Sequence, residues 1–548
     1  MRKFLVVALT LAVVAIPLLA GCGRTPAGGT AAPQQKVIRF NNSVDPRTID
    51  PAKETSAYEF SIENQLFEGL TRQGPKGLEP GIATDWKISD DGLTYEFHLR
   101  DAKFSNGDPI TAQDFVYSWK RVLDPRFGSE YSYQLYYIKG AEAVNSIKVD
   151  DADAATKIQE GLDKLGVVAK DPKTLVVTLE YQTPYFLGLT AFPTYHPVDQ
   201  KVVEKNPDWD TKPETYISDG PFKLTAWNHG DKIVAEKNPN YWDAASVKVD
   251  KIEFYMVESG STELTMWETG QIDITYGDLP TAELARLKSE GKLQVQPLIG
   301  TMYFAPQNKK PPLDNVKVRQ ALSMALNRKA IADDVVKTGS LPAFAYVPSG
   351  IADADPSKDF RAVGGDLFKE DVAQAKKLLA EAGYPDGKGF PGFEIVYTTN
   401  ETTKAIVEAS IEMWKTNLGI TNITARNVES KVRLEKRKTG DFQFTYTGWY
   451  GDYLDPMTYI DLPVTGGGQN EMRFSDPEYD RLVKEAKQTG DQAKRMQLMH
   501  QAEQILFDKM GIIPLTFQVK VYLQNPKVTG VYRNALNLID FKWADVTQ

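Results

Sequence analysis

Cysteine is almost missing from this chain: there is one in 548 residues, at position 22. A single thiol closes no internal disulfide and builds no CxxC zinc site. Histidine is scarce as well. The four, His98, His196, His229 and His500, lie far apart and belong to no HExxH or other ligand pair. Each reads as an ordinary solvated or hydrogen-bonded side chain, so no metal centre is expected. Positive charge is not in excess either, with 64 Lys+Arg against 73 Asp+Glu and a formal charge of −9. Such a chain is a poor partner for phosphate backbones, which argues against nucleic-acid binding. GxSxG, the P-loop and a GxGxxG following a strand are all absent. Gly466-Gly467-Gly468 is followed by no Lys-Ser/Thr and reads as a flexible loop. No cofactor is implied, and hydrolase chemistry has no positive support. No repeat of about 20–50 residues is present, which removes solenoids and propellers.

What is present is ordinary globular composition, 42% hydrophobic and 25% charged. At about 100–200 residues per domain, the length predicts more than one folding unit. Arg2 and Lys3 precede an almost wholly apolar run from Phe4 to Ala20, long enough to be read as a membrane span. The run ends, however, in Leu19-Ala20-Gly21-Cys22. This resembles the lipobox of bacterial lipoprotein signal peptides, cleaved before the cysteine and lipidated on its sulfur. Removal of residues 1–21 leaves 527 residues (548 − 21) and, with Arg2 and Lys3 gone, a charge of −11. The stretch from Cys22 to Lys36, rich in Gly, Ala, Thr, Pro and Gln, reads as a flexible tether. The expected product is an extracytoplasmic body anchored to the membrane through Cys22.

Strand and helix signals mix beyond that point. Tyr95, Phe97 and Leu99 alternate with polar residues, as do Leu175, Val177 and Leu179, and Ile252, Phe254 and Met256. Val372, Ala375, Leu378, Leu379 and Ala382 have helical spacing, stopped by Gly383 and Pro385; Ile406, Ala409, Met413 and Trp414 repeat it up to Gly419. Thr111 and Asp114 have the spacing of a capping box for a helix through Phe115, Val116 and Trp119. The class is mixed α/β. Helical patterns concentrate after residue 310, which suggests a boundary near 300.

Several segments, in order, resemble the large solute-binding proteins of ABC importers, in their oligopeptide-binding (OppA-like, family 5) branch. Asp50-Pro51 and Leu66-Phe67-Glu68-Gly69-Leu70 come first, then YEFHLRDAKFSNGDPITAQDFVYS at residues 95–118. Asp219-Gly220-Pro221-Phe222, Asn238-Pro239-Asn240-Tyr241-Trp242 and Val318-Arg319-Gln320-Ala321-Leu322 follow, and then AKKLLAEAGY at 375–384 and GWYGDYLDP at 448–456. The resemblance implies a two-lobed periplasmic-binding-protein-like fold (class II, cluster C) with an inserted domain and a two-strand hinge. Domain I is expected at 37–67, 190–300 and 520–548, domain II at 68–189 and domain III at 301–519. It also implies a monomeric peptide receptor, without chemistry of its own, that serves a membrane permease.

A free peptide offers an ammonium, a row of backbone N–H and C=O groups, and a carboxylate. The ammonium needs a carboxylate that is shielded from water. GWYGDYLDP offers Asp452 and Asp455. Asp455 precedes Pro456 and reads as a structural helix cap, whereas Asp452 has no such local task and matches the family's amine-binding aspartate. By resemblance, the peptide backbone runs between Thr55-Ser56-Ala57 and Gly448-Trp449-Tyr450 in β-augmentation. Trp449 and Tyr450 are read as pocket walls and Tyr131 as a residue that closes over the ligand. The Lys- and Arg-rich run from 431 to 438 is by default a solvated helix face. Within it, Arg437 aligns with a family arginine that faces the cleft. Tyr446, Thr403 and Ser430 stand where the best-known pattern has arginine, histidine and tryptophan, which leaves peptide length and side-chain preference open. The alternatives are a same-fold receptor for another solute, such as a nickel complex, an opine, a murein peptide or a signalling peptide, and a secreted hydrolase.

Overall fold

The computed structural model describes residues 35–398 and 400–547. The leader at 1–21, Cys22 and all but the last two residues of the tether lie outside the described residues, as does the side chain of Ser430. No helix among the described residues is long and apolar enough to cross a membrane.

Three sheets organise the chain from Lys36 onward. The first has four strands in the order Val37–Asn41, Lys251–Tyr255, Lys232–Lys237, Phe222–Asn228. Its first pair is parallel and the others antiparallel. Ile38, Phe40, Ile252 and Phe254 alternate inward from it, and Phe40 meets Phe254, Tyr276 and Phe541 at 5.3–5.9 Å between ring centroids. The second is an antiparallel meander, Ala83–Ile88, Thr94–Leu99, Thr174–Thr178, Val167–Asp171. It sends Tyr95, Phe97, Leu175 and Val177 into a core shared with the helix Ala112–Leu123. That helix begins as its spacing predicts, because Asp114 accepts the Thr111 N–H at 2.8 Å. The third sheet has six strands: Leu341–Pro342, Ile513–Tyr522, Gln294–Pro306, Phe444–Tyr450, Phe393–Thr398, Ile423–Val428.

The helices Val372–Glu381 and Glu401–Leu418 sit where periodicity places them, the second ending at Gly419 with φ 72°. The change of pattern near residue 300 falls inside the strand Gln294–Pro306. Helices are not confined to the later half: Ala57–Leu66, Ala154–Asp163 and Gly260–Glu268 precede it. The strands Gln294–Pro306 and Ile513–Tyr522 run side by side, and their register shifts between Pro297 and Thr301. In that gap Ile299 turns to other partners. Its N–H donates to Ala535 O at 2.8 Å, and its carbonyl accepts Gly451 N–H at 2.9 Å and the Tyr459 hydroxyl at 2.7 Å.

Candidate functional site

The strand Phe444–Tyr450 pairs with Gln294–Pro306, Thr301 opposite Trp449, and delivers the chain into Gly451-Asp452. A side chain at Gly451 would collide with Ile299 Cδ1 and Thr458, so the approach to Asp452 requires glycine. Thr458 fixes the turn: its hydroxyl accepts the Asp452 N–H at 3.0 Å and the Trp449 Nε1–H at 3.4 Å. Trp449 is thereby held half-buried beside Asp452.

The Asp452 carboxylate meets residues from the opposite side of the molecule. Gln134, on the short helix Ser132–Leu135, donates to it at 2.7 Å across a sequence separation of 318 residues. Burial pushes the Asp452 carboxyl up to about 7, while hydrogen bonds from Gln134 and Tyr133 pull the other way. Burial together with the Asp452 charge holds the Tyr131 and Tyr133 hydroxyls well above the usual tyrosine range. No basic side chain among the described residues forms an ion pair with Asp452. A shielded carboxylate with a neutral donor and no cation has the chemistry that suits an ammonium group.

Tyr131 stacks on Phe192 (5.8 Å, 16°), tilts against Tyr133 (5.4 Å) and meets the edge of Phe60 (6.0 Å). Phe60 lies on the helix Ala57–Leu66, which Ser56 opens through a capping box with Glu59. The Thr55 and Ser56 N–H groups both donate to the Glu59 carboxylate, at 2.8 and 3.1 Å. The Thr55-Ser56-Ala57 segment is therefore a helix entry whose first two donors are already engaged, not an open strand edge. Below Asp452, Tyr453 stacks on Tyr185 (4.7 Å, 3°) and its hydroxyl lies 3.1 Å from that of Tyr137. Asp455 is committed to structure. It takes a bidentate pair from Arg495 at 2.8 and 2.6 Å and accepts the Met457 N–H at 2.9 Å.

The remaining expected residues separate from this cluster. Tyr450 is 42% exposed and lies over Gly300, and Gly448 abuts Met302. Tyr446 is 7% exposed, edge-on to Phe304 at 5.6 Å, within the packing of its own lobe. Thr403 is half-buried in the first turn of its helix, where its N–H donates to Asn400 Oδ1 at 3.0 Å. The basic run is not uniformly solvated: Arg433 and Arg437, one helical turn apart, turn inward. Arg437 forms an ion pair with Glu471, and Arg433 donates to Thr447 Oγ1 at 3.2 Å. Glu471 also accepts the Tyr303 hydroxyl at 3.2 Å. Arg437 is thus already neutralised. All four histidines pair with carboxylates, at 2.5 Å for His98–Asp85 and 2.6 Å for His196–Glu63, 3.1 Å for His229–Asp45 and 2.8 Å for His500–Asp353. No group of three or more His, Cys, Asp or Glu among the described residues could hold a metal ion.

Gln134, Tyr133, Tyr453 and Glu471 were not legible as site residues. The one available signal was density: Tyr131, Tyr133, Tyr136 and Tyr137 crowd into a single short segment.

Comparison with known proteins matches residues 77–471 to the family described as bacterial extracellular solute-binding proteins, family 5. The dipeptide-binding protein DppE of Bacillus subtilis is 37% identical over 514 residues, 93% of this chain and 92% of that protein. The oligopeptide-binding protein OppA of the same organism is 37% identical over 544 residues, 97% of each. The crystal structure of Haemophilus influenzae OppA in complex with RPPGFSPFR superposes with a TM-score of 0.81 at 32% identity, covering 94% of this chain and 99% of that one.

Proposed function

The chain belongs to the bacterial extracellular solute-binding proteins of family 5, and from that premise we propose that it captures short peptides between two lobes and delivers them to an ABC permease. The observation that carries this reading is Asp452, a shielded carboxylate without a cation that accepts from Gln134, 318 residues away, and lies beside Tyr133. In this reading Asp452 grips the peptide α-ammonium. Trp449, Tyr450 and Tyr131 wall the cleft, and the strand at Gly448 supplies backbone partners. On the side of Thr55-Ser56-Ala57, the Thr55 and Ser56 N–H groups are engaged by Glu59 and the Ser56 carbonyl accepts the Glu59 and Phe60 N–H groups, so the Thr55 carbonyl and the Ala57 N–H remain for the ligand. Arg437, Tyr446 and Thr403 act further along as walls rather than as free charges.

In this reading domain I takes 37–67, 190–300 and 520–548, domain II 68–189 and domain III 301–519, and the sheets support the division. The first sheet falls within 37–67 and 190–300, the second within 68–189, and the third belongs mainly to 301–519. The strands Gln294–Pro306 and Ile513–Tyr522 cross the boundaries at 300 and 519, which suits a two-strand hinge. Cys22 would carry the lipid anchor. The family and the relatives are described as binding proteins, in keeping with a receptor that performs no chemistry of its own.

Native mass spectrometry of the mature protein tests the reading. Retained heterogeneous peptides of a few residues are expected; a retained metal chelate or sugar would sink it. The elevated Asp452 carboxyl adds a pH signature. An ammonium binds the ionised form, so below pH 7 a proton must first be released, and affinity falls about tenfold per unit. Above about pH 8 the peptide amine loses its own proton and affinity falls again. Calorimetry across this range should therefore give an optimum between the two limbs; a flat acid limb contradicts the assignment.

A further inference from the structure

Most buried cations among the described residues have an acid or backbone carbonyls in contact. Arg72 pairs with Asp540 at 2.6 Å, and Arg495 with Asp455 at 2.6 Å. Where no acid is in contact, backbone carbonyls take over. Arg319 donates to Met510, Leu313 and Lys509 at 2.6–2.9 Å. Arg433 keeps a single hydrogen bond, to Thr447 Oγ1, with its Nε unpartnered, and two neighbouring cations, Lys520 and Arg533, show neither a hydrogen bond nor an ion pair among the described residues.

Arg533 lies 3.9 Å over the Tyr522 ring, and its Nε and one terminal nitrogen are buried with no hydrogen-bond partner among the described residues. Lys520, on the strand Ile513–Tyr522 opposite Gln296, holds its Nζ 4.5 Å from the Tyr276 ring centroid. Neither forms an ion pair within 4 Å among the described residues. Burial holds the Arg533 guanidinium down to about 10 and lowers Lys520 as well, as expected of cations deprived of counter-charge. The acids nearby do not satisfy them. Glu263 acts on Lys520 from a distance, but its Oε1 accepts the Asn41 side chain and the Tyr276 and Gly277 N–H groups at 2.7–3.0 Å. Asp278, the other carboxylate acting on Lys520, is exposed and accepts from Asn400 at 3.5 Å.

The position is as informative as the missing partners. Gln518 and Lys520 project to the same face of their strand. A Cβ at Gly300 would touch both the Tyr450 ring and Gln518, so Lys520 lies one step along the sheet from Tyr450. On the other side, Tyr276 meets the edge of Tyr58 at 5.9 Å, and Tyr58 follows Ser56 by two residues. The two free cations thus stand between the two segments that flank the ligand in the peptide-receptor reading. Arg437, by contrast, is already paired with Glu471.

We propose that Lys520 and Arg533 form a carboxylate subsite of the ligand cleft, taking the C-terminal carboxylate or an acidic side chain of the bound peptide. The inference rests on the peptide-receptor reading. Calorimetry on the wild type, Lys520→Met, Arg533→Gln and, as a control on the exposed face of the helix Pro477–Gln488, Arg481→Gln tests it, each titrated with one acidic peptide, its C-terminal amide and its Glu→Gln analogue. In the wild type, neutralising the recognised carboxylate should weaken binding about 10- to 100-fold. Loss on amidation identifies the terminus; loss on the Gln exchange identifies a side chain. That discrimination should collapse in both Lys520→Met and Arg533→Gln and survive in Arg481→Gln. Wild-type indifference to both neutralisations overturns the proposal, as does discrimination that persists in either variant or vanishes in Arg481→Gln. The ratio is internal to each protein, so a misfolded variant shows itself by failing to bind the amide as well. Lys520→Gln and Arg533→Met then provide a second pair with the same two outcomes. A wild type that binds no peptide at all defeats the receptor reading instead.

Discussion

Replacing Asp452 by alanine should weaken binding of free-amine peptides by about two to four decades, the equivalent of about 3–5 kcal/mol for one partner of a shielded ion pair. The size follows from what the empty site offers. Gln134 supplies one neutral hydrogen bond at 2.7 Å, and no cation among the described residues compensates the charge. A bound ammonium in the variant would lose its hydration and find no anion to replace it. N-acetylated peptides carry no such charge and should bind wild type and variant alike. Calorimetry at pH 7.5 with acetylated and free-amine forms of one peptide decides the matter; equal affinity of the two forms for the wild type removes Asp452 from its role. The same carboxyl also affects the empty protein. Its value is raised from 3.8 in the unfolded chain to about 7, so its contribution to stability is present below about pH 4 and lost as pH rises through 7. Thermal stabilisation by peptide should accordingly grow between those limits.

The second large effect concerns Asp455, three residues on and opposite in character. Asp455→Ala should cost about 3–5 kcal/mol of stability, because Arg495 is left charged, buried and without its bidentate partner. The damage should spread beyond this pair, since the Arg495 guanidinium also lies 5.0 Å over Tyr185, whose ring stacks on Tyr453 and meets Tyr137 edge-on. The double variant Asp455→Ala/Arg495→Met, which removes both charges, should recover much of the loss. Hydrogen exchange in the helix Gln492–Asp508 and in the Tyr453 loop reads the effect locally, as a chain of several domains need not unfold in two states. A double variant no more stable than Asp455→Ala would show that packing, not the stranded charge, sets the cost.

These two aspartates also mark what the sequence made legible. Asp455 was legible in part: an Asp-Pro helix entry is a local signal and its side chain accepts the Met457 N–H, but its Arg495 partner, 40 residues on, was not. Alternation located the strands around Phe97, Val177 and Phe254, and 3–4 spacing located the helices ending at Glu381 and Leu418, for the same reason. The partners of Asp452 were not legible, since Gln134 is 318 residues away and no periodicity encodes a meeting across a cleft. Arg437 is a second case. A basic run predicts exposure and resemblance a place facing the cleft; its ion pair with Glu471, from a distant loop, was not legible. Ser56 is extended (φ −129°, ψ 150°), but it does its work as a helix cap with Glu59. Where the deciding partner lay within four residues it could have been found, as the Thr111–Asp114 cap was; where it lay across the fold it could not.

Ile299 sets the relation between opening and holding. At the point where the two long strands fall out of register, its carbonyl binds Gly451, the residue immediately before Asp452, while its N–H is held by Ala535. In the peptide-receptor reading the pivot and the grip would therefore be coupled in series, like a jaw whose joint is fastened to its own tooth. A partner that levered the lobes apart from outside, without reaching the ligand, would pull on Asp452 through this joint, and the torque that opens the receptor would reach the contact that retains the cargo.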